Sequence, residues 1–206
     1  MSVNHAGKSY DVEVNDEGLL SLDLSNSNIS DITEIAGLDK LVKLQKLNLS
    51  NNNITEITGL EKLKNLQKLL LGDNRIKQIS GLDTLVNLQN LYLKENEINE
   101  IKGLEQLNKL RFLDLTKNHV NEISGLENLI NLESLVLYEN NIQEIKGLEN
   151  ITNLRFLNLA NNQIIEVTGI EHLSKLNIFH IRGNPLKKLE EEKSSQNAFI
   201  IEEFED

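Results

Sequence analysis

The chain has no cysteine and no tryptophan, one proline, and only five phenylalanines and three tyrosines among 206 residues. Without thiols no disulfide framework staples the fold, which suits a reducing compartment or a bacterial-type cap, and no thiolate is on hand for a zinc site. Basic residues are scarce as well: 21 Lys and Arg stand against 32 Asp and Glu, a formal net charge of −11. Phosphate backbones and anionic headgroups are bound chiefly by Lys and Arg, so this balance argues against nucleic acid and membrane surfaces as partners. No apolar run approaches the roughly 18 residues of a membrane span. The amino-terminal stretch MSVNHAGKSYDVEV lacks the apolar centre of a signal peptide. These absences lead to the expectation of a soluble, cytoplasmic chain.

What the chain has in abundance is period. Asn52, Asn74, Asn96, Asn118, Asn140, Asn162 and Asn184 follow one another at intervals of 22, and so do Gly37, Gly59, Gly81, Gly103, Gly125, Gly147 and Gly169. Between them runs Leu-x-x-Leu-x-Leu-x-x-Asn-x-Ile. Two ladders in phase over most of a chain mean stacked copies of one unit, each packing only on its neighbours. An array of this kind has no single central core and offers a long surface rather than a pocket.

The unit can be read from Leu66 to Leu88, LQKLLLGDNRIKQISGLDTLVNL. Leu69 and Leu71 alternate with Leu70, the period of a short strand with one face inward. Successive units lay these strands side by side at about 4.8 Å, a parallel sheet on the order of 35 Å long. Asn74 turns the chain off the strand, its amide able to donate to and accept from turn backbone that would otherwise be buried unpaired. Ile76 and Ile79 fill the core under the turn. Ser80-Gly-Leu-Asp83 has the form of a capping box and returns as Thr58-Gly-Leu-Glu61, Ser124-Gly-Leu-Glu127 and Thr168-Gly-Leu-Glu171. Each copy is expected to start a short helix or 3₁₀ turn on the convex side, with Leu82, Leu85 and Leu88 pointing inward. The acid of each copy is explained by capping and the helix dipole, without a bound cation.

The ends depart from the pattern. Leu22 to Leu47 spans 25 residues and Ser27 replaces the asparagine. Before it, Tyr10, Val12 and Val14 alternate with polar residues, so residues 8–24 are expected to form a hairpin-like cover over the first coil. Pro185 ends the repeats, and the charged segment after it keeps Phe199, Ile200, Ile201 and Phe204 as apolar residues. This divides the chain into an amino-terminal cap (1–18), an array of about eight repeats (19–186), and a carboxyl-terminal cap or tail (187–206), read as a closing lid with a docking tail as the alternative.

The motif LxxLxLxxNxIxxIxGLExL over residues 19–186 resembles the 22-residue class of intracellular leucine-rich repeats, the class of a protein phosphatase 1 regulatory subunit and of axonemal dynein light chain 1. The resemblance implies an α/β solenoid: a right-handed, curved horseshoe with a parallel concave β-sheet and short helices or 3₁₀ turns outside, which binds proteins. In the phosphatase regulator the contacts come from the central residue of Leu-x-Leu. Those positions here are Asp23, Asn48, Leu70, Tyr92, Asp114, Val136, Asn158 and His180. Bacterial internalins share the period, but their repeats favour proline where this chain has Gly-Leu-Glu.

On each strand the leucines face in, so the residues between them face the concave side. Four of the eight Phe and Tyr residues fall there: Tyr92, Phe112, Tyr138 and Phe156. Leu70, Val136 and Ile178 join them in one apolar stripe, and Asp114, Asn158, His180 and Arg182 flank it. A solenoid needs no rings at these positions, so the stripe is the candidate site for a protein partner. Catalytic and metal-site signatures are missing. The four histidines have no neighbour at metal-ligand spacing, and Asp114 and His180 lie three strands apart, roughly 14 Å, too far for a nucleophile and its base. The sequence thus reads as a monomeric, non-enzymatic interaction scaffold with no cofactor and no metal, with a phosphatase regulator or an internalin-like cell-surface adhesion module as alternatives.

Overall fold

A computed structural model describes residues 1–187 and 200–201. Strands β1 (Ser2–His5) and β2 (Lys8–Asp11) form an antiparallel hairpin, and all other strands belong to one ten-stranded sheet. Its body is one strand per coil: β4 (Leu20–Asp23), β5 (Lys46–Asn48), β6 (Lys68–Leu70), β7 (Asn90–Tyr92), β8 (Phe112–Asp114), β9 (Ser134–Val136), β10 (Phe156–Asn158) and β11 (Ile178–His180). Each pairs in parallel with the next in unbroken register, so Leu22, Leu47, Leu69, Leu91, Leu113, Leu135, Leu157 and Phe179 form a single row. That row is buried, and the residues on either side of it are not. Strand β3 (Glu13–Val14) closes one edge antiparallel to β4, and β12 (Ile200–Ile201) closes the other parallel to β11. The result is the expected solenoid.

The core is a column of leucine and isoleucine running the length of the array, and most of its members are wholly shielded from water. The asparagines hold its turns. Asn118 donates from Nδ2 to the carbonyls of Leu93 (2.9 Å) and Leu115 (3.1 Å), while its Oδ1 accepts the N–H of Ile98 at 3.0 Å. One amide thereby ties its own turn to the previous coil. Asn74, Asn96, Asn140 and Asn162 repeat the arrangement, each nearly buried.

On the outer side the turn alternative of the expectation holds rather than the helical one. Among the described residues only the irregular first coil has 3₁₀ helix, at Ile32–Glu34 and Leu38–Lys40; the regular described coils run through successive turns instead. Leu60, Leu63 and Leu66 show why. Each must point inward, and N–H groups of Leu63 and Leu66 bond to carbonyls three residues back, at 2.9 Å in each case. Inward residues at every third position suit linked turns, whereas an α-helix would rotate one of them outward.

The capping boxes are corrected with it. Glu61 and Glu127 accept the N–H of the glycine two residues before them, at 3.2 Å, rather than that of Thr58 or Ser124, and Glu105 and Glu149, whose copies carry Lys102 and Lys146 there, do the same at 3.1 Å. The glycine itself is required at the bend. Gly125 sits at φ +67°, and a Cβ there would overlap the carbonyl oxygen of Ile101 in the preceding coil.

At the amino end the cover begins earlier than the expected residues 8–24. The β1–β2 hairpin buries Val3 completely against the first coil, and Tyr10 and Val12 pack at its margin. Val14 is 67% exposed, because β3 has turned away to pair with the sheet edge. Of the apolar residues expected in a closing lid, Phe199 and Phe204 lie outside the described residues.

Candidate interaction face

Register sorts the solvent side of the sheet into two columns. Ser21, Lys46, Lys68, Asn90, Phe112, Ser134, Phe156 and Ile178 form one. The other holds Asp23, Asn48, Leu70, Tyr92, Asp114, Val136, Asn158 and His180. Tyr138 and Arg182 follow the last inward residue of their strands. All eleven sequence-selected residues therefore lie on or beside one surface.

They do not form one continuous exposed stripe. Leu70, Tyr92, Phe112, Val136, Tyr138 and Phe156 are half-buried, and among the apolar members only Ile178, at 40%, is exposed. Neighbouring side chains cover the rest. Tyr92 and Phe112 stand diagonally on adjacent strands with ring centroids 4.8 Å apart and planes tilted by 35°. Phe156 meets His180 in the same way, at 5.4 Å and 58°. The amino end of the first stack is further covered by Lys68, whose Nζ lies 5.8 Å from the Tyr92 ring and 2.8 Å from the Glu17 carboxylate. Two aromatic nodes thus replace the single stripe, separated by Ser134 and Val136 on β9.

The polar members are held as well. Asp114 accepts the N–H of Thr116 at 2.9 Å. Tyr138 accepts a hydrogen bond from Asn161 at 3.0 Å, and its contact with the Glu139 carboxylate holds the phenol above its ordinary pKa. Partial burial pushes the Asp23 carboxyl upward. The N–H of Ser25 (2.9 Å), the Ser25 hydroxyl and Asn48 outweigh that and keep it below its usual value. Ion pairs Lys94–Asp73 (3.2 Å), Lys117–Glu95 (3.5 Å) and Arg111–Glu133 (2.7 Å) cross between coils along the margins. Arg155 and Arg182 are exposed at the carboxyl end of the face.

Two hollows were not apparent from sequence. A cavity of about 380 Å³ opens on the face where the amino-terminal cap meets the sheet, lined by Tyr10, Asp11, Glu13, Asn15, Ser21, Asp23, Lys46, Asn48 and Leu70. An apolar hollow of about 230 Å³ lies between Met1, Val12, Leu20 and residues Lys40 to Leu44. Both arise because the cap strands fold over the first coil, and nothing in the repeat pattern encodes that. Among the described residues no group of three or more His, Cys, Asp or Glu side chains could hold a metal ion. Among the same residues no helix is long and apolar enough to cross a membrane.

This chemistry is that of an open surface. Its aromatic nodes can take up apolar side chains and its margins can pair charges.

Comparison with known proteins agrees with the architecture. The family "Leucine Rich repeats (2 copies)" matches residues 17–62, 42–84 and 130–172, and "Leucine rich repeat" matches 64–120. No curated protein matches the sequence. Among solved structures, an internalin (inlF) of Listeria monocytogenes is 27% identical, with a TM-score of 0.68, over 84% of this chain and 57% of that one. Internalin C2 of the same organism is 31% identical, with a TM-score of 0.62, over 79% of this chain and 80% of that one. The TLR13–ssRNA13 complex is 28% identical, with a TM-score of 0.67, over 72% of this chain and only 23% of that one. The chain therefore spans little more than half of the inlF structure. With its 22-residue period, parallel ladder and asparagine spine, and with family matches over most of its length, this chain belongs to the leucine-rich-repeat family.

Proposed function

We propose that the protein is a non-enzymatic scaffold that holds a protein partner on the concave, solvent-facing side of its sheet. The observation that carries this reading is the placement of the Tyr92–Phe112 and Phe156–His180 stacks. The same columns hold lysine, asparagine and serine in other coils, so the fold does not need rings there. Rigid aromatic groups on an otherwise polar surface are the usual anchors of protein interfaces. The excess of acidic residues argues against a nucleic-acid ligand, whatever the RNA in the TLR13 complex does for that protein.

The internalin likenesses favour a second reading, an internalin-like adhesion module working at a cell surface. A cytoplasmic scaffold of the intracellular repeat class, with phosphatase regulation as its narrower form, draws instead on the Gly-Leu-Glu motif and the lack of cysteine. Immobilised protein incubated in parallel with cytoplasmic extract and with intact cells separates the two by where a saturable partner is found. In either setting, Phe112→Ala combined with Phe156→Ala should reduce capture at least about ten-fold, the size expected for losing two anchor residues. The melting temperature should barely change. Capture that survives the double substitution would sink the proposal.

A further inference from the structure

The cavity beneath the amino-terminal cap opens onto the solvent face of β4, β5 and β6. At about 380 Å³ it falls within the ~300–1,000 Å³ span of ligand pockets. Asp11 from β2, Glu13 from β3 and Asp23 from β4 bring three carboxylates to its lining, against Lys46 as the one basic residue there. Among the described residues none of the three forms an ion pair. Nor do they converge on a point, since no group of three such side chains among the same residues could hold a metal ion. Carboxylates spread around a hollow suit a cation that carries several N–H donors, and a guanidinium presents five in one plane. Tyr10 and Leu70 offer apolar surface to the stem of such a side chain. The net charge of −11 steers basic partners toward the molecule.

We propose that this cavity takes an arginine side chain of an extended partner segment, and that an aromatic or large aliphatic side chain four residues away seats on the Tyr92–Phe112 node. This rests on the reading of the face as a docking surface and names the partner chemistry that its amino end accepts. The spacing follows from the sheet. From β5, in the cavity, to β8 is three strand intervals, roughly 14 Å. An extended chain laid across the strands advances ~3.4 Å per residue, so four residues cover about the same distance. Residues four apart in such a chain also point to the same side, as two anchors must. Lys68 lies on the way, and its ion pair with Glu17 at 2.8 Å offsets the charge that would repel a basic segment there. A segment with the arginine alone, or the ring alone, fills only one of the two sites.

Two synthetic peptides test this on the isotope-labelled full chain through amide chemical shifts: Arg-Ser-Thr-Ser-Phe, blocked at both ends, and the same peptide with glutamate in place of arginine. The first should shift amides at Asp23, Asn48 and Leu70 together with those at Tyr92 and Phe112. It should bind at least about five-fold more tightly than the second, the size expected for charge-assisted contacts at a partly open site. Glu13→Gln with Asp23→Asn should abolish that preference at an unchanged melting temperature. Asp11→Asn, a change at an exposed residue, should remove part of it by itself. Free arginine amide is the control for a small cation as the ligand, and should bind more weakly than the peptide. Equal binding of the two peptides, shifts that avoid the cavity, a preference that survives the double substitution, or free arginine amide binding as tightly as the peptide overturns the proposal. Phe112→Ala should weaken both peptides while the arginine still shifts the cavity. A missing arginine preference beside an intact effect of Phe112→Ala sinks this inference alone, and the reverse pattern sinks the scaffold reading.

Discussion

Asn118 shows what a single side chain does in this architecture. Its amide satisfies two carbonyls and one N–H that the turn removes from water, and one of those carbonyls and the N–H belong to the preceding coil. Replacing Asn118 by alanine leaves these groups buried without partners and opens a small void. The expected loss is about 3 kcal/mol, since each orphaned polar group costs ~1–3 kcal/mol. A urea unfolding curve on Asn118→Ala checks it, and a midpoint within error of the parent would show that water takes the place of the amide. The task of this residue is legible in the sequence, because a polar side chain recurring between apolar ones has few uses other than closing backbone bonds. The recurring glutamate misleads for the opposite reason. Its spacing fits a capping box, and sequence alone does not say whether the backbone beneath it is helix or turn.

At the scale of the element, three inward residues at intervals of three decide between those two conformations. Leu126, Leu129 and Leu132 are all buried, and the chain between them bonds three residues back, so no helical turn forms for the acid to cap. The acid is used all the same. In the Glu149 copy the backbone N–H groups of Glu149 and Gly147 hold the carboxyl below its ordinary pKa, more than burial raises it, with a smaller contribution from the charge of His172. A lowered folded-state pKa means stability that is present above the ordinary value of the group and lost as pH falls through the folded one. Carboxyl titration by NMR should therefore place the Glu149 midpoint below its unperturbed 4.5. Glu149→Gln should remove this carboxyl's share of the acid-side loss of stability, while leaving other groups to titrate. A midpoint at or above the unperturbed value would show that the glycine N–H bond does not persist in solution. The strands could be read almost residue by residue, because the alternation of inward leucine fixes both face and register. The pairing of aromatic rings into two nodes was not legible, since it depends on diagonal contacts between strands that a one-dimensional pattern does not rank.

The whole molecule is a row of nearest neighbours, so its stability is a sum of coil and interface contributions rather than the property of one core. That much follows from the period. The ends do not, because each is a unique sequence doing a job that no other coil has to do. At the amino end the job falls to Val3, which the β1–β2 hairpin presses onto the first coil with no exposure at all, although the apolar alternation pointed instead to Tyr10, Val12 and Val14. Val3→Asp buries a charge with no partner built for it, and the cap should come away rather than accept that cost of several kcal/mol. In a globule with a single core such a lesion lowers protection everywhere. In a linear array the loss should fall off with distance from the lesion: fast hydrogen exchange across β4 and β5, intermediate at β6, and near-parental protection from β8 to β10. Exchange followed by peptide mass spectrometry resolves this gradient coil by coil. A uniform rise along the chain would mean that the coils are coupled far more tightly than their contacts suggest. A partner on β8 would then respond to damage at an end some 20 Å away, a distance set by four strand spacings. A graded rise would leave the Tyr92–Phe112 node intact on a frayed molecule, and binding there should survive the loss of the cap.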